Sequence, residues 1–328
     1  MITMTEIARL TGVSQPTVSR VLNGNTSVNP EVAKKVLACA QEHNYQPNIM
    51  ARSLSGNQTF LLAVMIPDIS NPFFADLLKI IEREAGKFGY SILIFNTDHD
   101  PEKELNYLAV LQQYHVDGLL IAPVHADEES MKPFHKLTIP WLVFTNRVNG
   151  VDSVYISHRK AGNMVAEHLI SIGAEKFVFV GKKSDLKFIG FEEGLTAGGV
   201  DTRQHLTVFW EKDREKAVEL LVEFIKEISE KTGIFALNDM EAMIVMNTLM
   251  GAGIMVPQKA SVVGFDNTYI SKRALPGITS VSQPVDEMGR FAVEELIKQI
   301  QHERHTAFQH TEMDAVLVLR GSTGKGEH

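Results

Sequence analysis

Residues 5–23 read Thr5-Glu6-Ile7-Ala8-Arg9-Leu10-Thr11-Gly12-Val13-Ser14-Gln15-Pro16-Thr17-Val18-Ser19-Arg20-Val21-Leu22-Asn23. Two short amphipathic helices meet in this string. The first runs from about Thr5 to Leu10, and Gly12 ends it, because glycine accepts the left-handed backbone that commonly follows a last turn. Ser14 caps the second, with Pro16 in its first turn, where a missing N–H does no harm. A third helix begins with Asn29 as cap and Pro30 at its first position, and runs to about Asn44. Ile7, Leu10, Val13, Val18, Val21, Leu22, Val32, Val36, Leu37 and Ala40 are spaced to face one small core.

Helix, tight turn and helix is compatible with a purely structural hairpin. It is also the pattern that lays the start of its second helix against base edges in the major groove of DNA. The residues at that start are Gln15, Pro16, Thr17, Ser19 and Arg20. Gln pairs with adenine, Arg with guanine, and Ser or Thr with base or phosphate. Asn29, at the start of the third helix, is a further candidate contact.

The charge distribution agrees. The chain of 328 residues carries a net charge of −8, which alone argues against a nucleic-acid partner. Residues 1–58 nevertheless hold five basic side chains against three acidic ones, so a mildly basic head precedes an acidic body. With 44% hydrophobic and 22% charged residues the composition is that of a folded globular protein. The length suits two domains, or one domain with an appendage. Cys39 is the only cysteine, so neither an intramolecular disulfide nor a cysteine zinc site is available. Phe60 to Ile66, the longest apolar run, is too short to cross a bilayer. Glu6 and Arg9 stand where a signal peptide needs an apolar core, so the expected location is the cytoplasm.

The string at 5–23, then Tyr45-Gln46-Pro47-Asn48 and Ala51-Arg52-Ser53-Leu54, then Val263-Gly264-Phe265-Asp266-Asn267 and Leu319-Arg320-Gly321-Ser322, together resemble LacI/GalR-type bacterial transcription regulators. The resemblance covers the whole chain. It implies a hinge that becomes helical on operator DNA, paired with the hinge of a second subunit. Leu54 would then wedge between base pairs from the minor groove, with Ala51 and Arg52 lying along that groove. Residues 48–56 are too short to form a stable helix alone, so a flexible linker off DNA is equally compatible.

After residue 58 apolar runs alternate with helical stretches. Phe60–Ile66, Ser91–Phe95, Gly118–Ala122 and Trp141–Phe144 form one series, and Lys176–Val180, Leu206–Phe209, Gly233–Ala236 and Ser261–Gly264 a second. Such βαβα rhythm predicts doubly wound parallel sheets, here as two similar lobes. Resemblance to the family, and to periplasmic sugar-binding proteins, implies three crossings between lobes. The expected division is a helix-turn-helix head at 1–46, a hinge at 47–58 and an effector-binding and dimerisation domain at 59–328. Within that domain the N-lobe takes about 59–157 and 284–308, and the C-lobe about 158–283 and 309–328.

Ligands of open α/β sheets bind beyond the carboxyl ends of the strands. The residues there include Phe73 and Phe74, able to cover a small ring, and Asn146, Asn238 and Asp266, whose amides and carboxylates suit sugar hydroxyls. Trp210 follows the strand at 206–209 and Gln283 lies at a lobe crossing. The family resemblance carries effector contact onto these seven. Phe73 or Phe74 can equally be a packing residue at a helix start, and Asn238 can simply cap the helix that follows. Lys187 stands where the family has an Arg, in a loop shorter than the family's; Lys182 and Lys183 beside it favour either an acidic ligand or merely a solvated basic loop.

Neither a phosphate-binding glycine loop nor a zinc-protease or serine-hydrolase motif is present, so no catalytic residue, metal or cofactor is expected. The expected molecule is a homodimeric repressor whose operator affinity is set by a small effector: a sugar, sugar phosphate or related metabolite, with a nucleobase or nucleoside as runner-up. Its partners would be double-stranded operator DNA, that effector and a second copy, with no membrane. The competing reading is a cytoplasmic sugar or sugar-phosphate enzyme or binding protein on the same body fold, which leaves the first 58 residues unexplained. The outer helices, at about 75–88 and 250–280, are the expected dimer face.

Overall fold

A computed structural model describes residues 2–22, 28–43, 45, 58–209, 214–227, 229–301 and 308–324. They divide into two compact units, Met1–Thr59 and Phe60–His328.

The first unit contains α1 (Met4–Thr11), α2 (Gln15–Leu22) and α3 (Pro30–Glu42). Thr3 and Glu6 cap α1 reciprocally: the Thr3 hydroxyl accepts from the Glu6 amide at 3.2 Å, and Glu6 Oε2 accepts from the Thr3 amide at 2.8 Å. Gly12 closes α1 at φ 70°. Asn29 caps α3 by accepting from the Glu31 amide at 2.9 Å. Ile7, Val18, Val21, Val36 and Ala40 form the core. Leu10 and Leu37 do not join it; they are 50% and 51% exposed. At about 100° per residue, Leu10 lies roughly 110° from the middle of the Ile7–Ala8–Thr11 stripe, and Leu37 about 100° from the Val32–Val36–Ala40 stripe.

The second unit runs β1 (Leu61–Ile66), α4 (Pro72–Lys87), β2 (Ser91–Asn96), α5 (Pro101–Tyr114), β3 (Gly118–Ile121), α6 (Glu128–Met131), β4 (Trp141–Thr145) and β5 (Ser153–Ile156). It continues with α7 (His158–Ser171), β6 (Lys176–Val180), α8 (Leu186–Ala197), α9 (Thr202–His205), β7 (Leu206–Phe209), α10 (Arg214–Glu227) and β8 (Thr232–Ala236). It ends with α11 (Asp239–Gly251), β9 (Ala260–Phe265), α12 (Tyr269–Arg273), β10 (Thr279–Ser282), α13 (Val285–Ile300), β11 (His310–Met313) and β12 (Val316–Val318).

Two six-stranded sheets result, ordered β11-β5-β4-β3-β1-β2 and β12-β10-β9-β8-β6-β7. All pairings are parallel except β10 with β12. The continuous apolar runs of β1, β8 and β9 follow from that arrangement, because helices cover both faces of each sheet and leave no polar side. The chain passes between the sheets after β5, after β10 and after β11. Because β11 pairs with β5 in the first sheet, the last passage falls at Asp314–Ala315, beyond the 308/309 boundary expected from the sequence.

Two helices of the C-lobe touch backbone to backbone. A Cβ on Gly162 of α7 would lie 2.1 Å from the Lys187 carbonyl oxygen, and one on Gly190 of α8 would lie 1.8 Å from that of Arg159. Glycines let α7 and α8 approach this closely, which seats Lys187 at the carboxyl end of the second sheet. No helix among the described residues is long and apolar enough to cross a membrane.

Candidate functional sites on the head and in the interlobe cleft

On the head, α2 buries Val18 and Val21. Gln15, Pro16 and Arg20 are exposed on its other side, with Thr17 and Ser19 half-buried. The Ser14 hydroxyl shares a hydrogen bond of 2.8 Å with that of Thr17, which steadies the first turn. Asn29 is exposed, and its side-chain oxygen is engaged as the α3 cap. Ala51, Arg52 and Leu54 lie outside the described residues, as does Trp210.

In the second unit the loop after β9 carries the densest polar network. Asp266 and Asn267 follow one another at φ 95° and 51°, a left-handed conformation unusual for two consecutive residues with side chains. Surrounding groups hold them there. The Asn267 amide donates to the Ser280 hydroxyl at 3.0 Å and its Nδ2 to the Ser282 hydroxyl at 3.0 Å, while its Oδ1 accepts from Arg320 Nη2 at 2.6 Å. Arg320 Nη1 also donates to the Ile278 carbonyl at 2.8 Å. Below them the buried Asp239 carboxylate accepts from the Thr268 amide (2.6 Å), the Thr268 hydroxyl (2.9 Å) and the Ser280 hydroxyl (2.6 Å). Residue 264 must be glycine, since a Cβ there would come within 2.5 Å of Asp239 Oδ1. Strain persists where the surroundings over-determine it, and here the network fixes the direction of Asp266.

Asp266 is 8% exposed, and its Oδ1 accepts from Gln283 Nε2 at 2.7 Å. Burial pushes its carboxyl up to about 6; the Lys187 charge opposes the rise and Asp239 adds to it. Lys187 Nζ donates to the Leu237 carbonyl at 3.1 Å and stands 4.4 Å above the Phe265 ring. His158, at the start of α7, stacks on that same ring, with centroids 5.7 Å apart and planes 17° from parallel. Burial, reinforced by Lys187, lowers the His158 imidazole to about 3, so the ring is neutral.

Phe73, Asp266 and Gln283 line one cavity of about 550 Å³, and Lys187 stands near its Asp266 wall. Phe73 and Phe74 are both buried and meet edge to face, 5.1 Å between centroids. Asn238 caps α11 by accepting from the Glu241 amide at 2.9 Å, and Asn146 reaches back to its neighbour Thr145 at 3.3 Å. Neither Phe74, Asn238 nor Asn146 lines this cavity. Sequence reasoning overlooked His158 and, though it quoted Asn267 and Arg320 in the strings that carry the family resemblance, gave them no role at the site. The strand-end rule that selected Asn146 would have found His158, which follows β5. The string Leu319-Arg320-Gly321-Ser322 marks Arg320 as a family residue but not its contacts, because its partners are 42 and 53 residues away. No cluster of three or more possible metal ligands occurs among the described residues.

Residues 3–48 match the bacterial regulatory proteins of the lacI family, and residues 166–323 match the periplasmic binding protein-like domain. The HTH-type transcriptional regulator DegA of Bacillus subtilis is 34% identical over 303 residues, 88% of either chain. The ribose operon repressor of Halalkalibacterium halodurans is 33% identical over 334 residues, 100% of this chain and 99% of that one. Among solved structures, a periplasmic binding protein/LacI transcriptional regulator from Alkaliphilus metalliredigens, complexed with D-xylulofuranose, superimposes with a TM-score of 0.70. It is 29% identical and covers 80% of this chain and 98% of its own. With a helix-turn-helix in its first unit, two parallel-sheet lobes in its second and full-length relatives above 30% identity, this chain belongs to the LacI family of bacterial regulatory proteins.

Proposed function

We propose that the protein is a cytoplasmic transcriptional repressor, without catalytic activity, whose affinity for operator DNA is set by a sugar-like effector held between the two lobes. One observation carries this reading. A single chain joins an exposed row at the start of α2, Gln15, Pro16 and Arg20, to a cleft whose wall holds a buried carboxylate and amide, Asp266 and Gln283. The first suits base edges and the second suits hydroxyl groups. Thr17, Ser19 and Asn29 extend the DNA-facing row. Ala51, Arg52 and Leu54 serve in the hinge, with Leu54 as the minor-groove wedge. Phe73, Phe74, Asn146, Lys187, Trp210 and Asn238 complete the effector site with Asp266 and Gln283.

Two copies act together on a near-palindromic operator, since a two-fold dimer demands a two-fold site. The exposed apolar side chains Met255, Tyr269 and Leu275, the last 85% exposed, support a dimer face on the C-lobe. Effector and operator are coupled reciprocally, because each favours one angle between the lobes, which residues 47–58 transmit.

Selection of the intact protein on a random duplex library tests the reading. A recovered palindrome, whose affinity shifts when pooled sugars or sugar phosphates are added, is expected. Absence of enrichment at moderate salt, with and without those pools, rejects operator binding. Leu54→Ala with unchanged specific affinity rejects the wedge.

A further inference from the structure

His158 stands at the first passage between the lobes, just after β5 ends at Ile156. Its polar atoms have no use within the chain. Ser157 already caps α7, its hydroxyl accepting from the Lys160 amide at 3.2 Å, so the imidazole is not needed there. The ring lies nearly flat on Phe265, which is fully buried and directly precedes Asp266. His158 itself is half-buried, so the stack covers part of the ring and leaves the rest to solvent. Among the described residues neither ring nitrogen has a hydrogen bond. The ring is held neutral, and a neutral imidazole carries one N–H donor and one lone-pair acceptor, both unspent here. Packing against Phe265 would need neither.

Gln283 repeats the situation at the second passage, between β10 and α13. It is 6% exposed, it spends Nε2 on Asp266, and its buried Oε1 has no partner among the described residues. A buried acceptor left unpaired is costly, by an amount comparable to a lost hydrogen bond, and points to a donor arriving from outside the chain. His158 is not part of the cavity that Gln283 lines with Phe73, so it adds a separate group at the carboxyl ends of the strands. Lys187 relates the two, since the same ammonium lowers His158 and opposes the rise at Asp266. We propose that His158 is a specificity-determining contact for the effector, one ring nitrogen binding a ligand hydroxyl while Gln283 Oε1 accepts from another. The proposal rests on Asp266 and Gln283 being effector contacts, and adds a residue that selects among sugars. It also gives a reason for the coupling: a ligand that bridges the first and second passages favours one angle between the lobes, because those segments are the ones that bend when the lobes move.

Calorimetric titration of the full chain with ribose, xylose, glucose and galactose, each to about 10 mM, selects the tightest probe, and the monodeoxy derivatives of that sugar follow. His158→Phe keeps the stack on Phe265 and removes both nitrogens; it is expected to weaken the probe about tenfold. One monodeoxy derivative binds the native chain about tenfold weaker than its parent, yet binds His158→Phe as well as the parent does, because the missing hydroxyl and the missing nitrogen belong to one hydrogen bond. A purely structural role for the ring does not produce that coupling. Of His158→Asn and His158→Gln, whose amides reach about as far as Nδ1 and Nε2, one restores most of the loss and so identifies the nitrogen. Native affinity in His158→Phe, or every deoxy derivative losing the same factor in both proteins, overturns the proposal. Asp266→Asn separates the two readings. If it weakens the probe while His158→Phe does not, the effector cleft stands and the His158 assignment fails. If none of these sugars binds the native chain, the sugar-effector reading fails and the His158 assignment with it.

Discussion

Substituting Gly162 by Ala tests the closest contact in the C-lobe. The added Cβ would sit 2.1 Å from the Lys187 carbonyl oxygen and 2.7 Å from the Phe191 amide nitrogen, whereas ordinary contact begins at 3.4 Å. Relief therefore requires α7 and α8 to separate by about 1.3 Å, and both obstacles are backbone, which no rotamer change can move. Overpacking of this kind costs about 1–3 kcal/mol, and here the upper end applies. Replacing a helical glycine by alanine returns about 1 kcal/mol, leaving a net loss of about 2 kcal/mol. For a unit of this size that corresponds to a fall in Tm of about 4–8 °C, read by scanning calorimetry of the full chain. Gly86→Ala is the control. It lies in α4 with nothing within 4 Å of its added Cβ, so it gains the same helix term without the clash. The shift also moves Lys187, whose 3.1 Å bond to the Leu237 carbonyl does not survive a displacement above 1 Å. If Gly162→Ala melts at the same temperature as Gly86→Ala, backbone-to-backbone packing is refuted.

Two further outcomes follow from titration and capping. Burial raises the Asp266 carboxyl to about 6, so the unfolded chain ionises it first; its contribution is fully present below about 4 and is lost as pH rises through about 6. Asp266→Asn should therefore be the more stable protein at pH 8, by on the order of 3 kcal/mol at most, with the gain vanishing near pH 4 in urea titrations; an equal gain at both pH values contradicts this. His158 has the opposite sign, since its imidazole is lowered to about 3, and the wild-type fold loses stability as pH falls below about 6.5. His158→Gln should flatten that acid limb, and an unchanged limb would place the loss elsewhere. On the head, Thr3→Ala breaks the reciprocal cap of α1 and should cost about 1 kcal/mol of head stability by circular dichroism; no change would mean the Thr3–Glu6 bonds contribute nothing in solution.

Some of this was legible in the chain before folding. The head is read from local rules, because Gly12, Pro16, Asn29 and Pro30 act within one turn of their own position. The strand–helix rhythm after residue 58 is likewise local, and parallel strands betray themselves by being apolar throughout. The carboxyl ends of those strands located Phe73, Asp266 and Gln283, which do line one cavity. The same rule also selected Asn238, whose oxygen caps α11, and Asn146, which reaches only its neighbour. Strand ends are helix starts as well, and an Asn there serves either purpose.

By itself, then, the sequence determined the helix-turn-helix, the doubly wound lobes and the family, since these depend on periodicity and on residues whose conformational preferences are short-ranged. The tertiary structure decided what those elements do to one another. Leu10 and Leu37 left the head core because three helix axes, not composition, choose which stripe is buried. The last lobe crossing moved to Asp314–Ala315 because β11 found its partner in β5, more than 150 residues earlier. Asp266 owes its direction to Asn267, Ser280, Gln283 and Arg320, groups gathered from three separate segments, and its raised carboxyl to burial. Long-range contacts, burial and the electrostatics they create have no local signature, and so only the folded chain displays them.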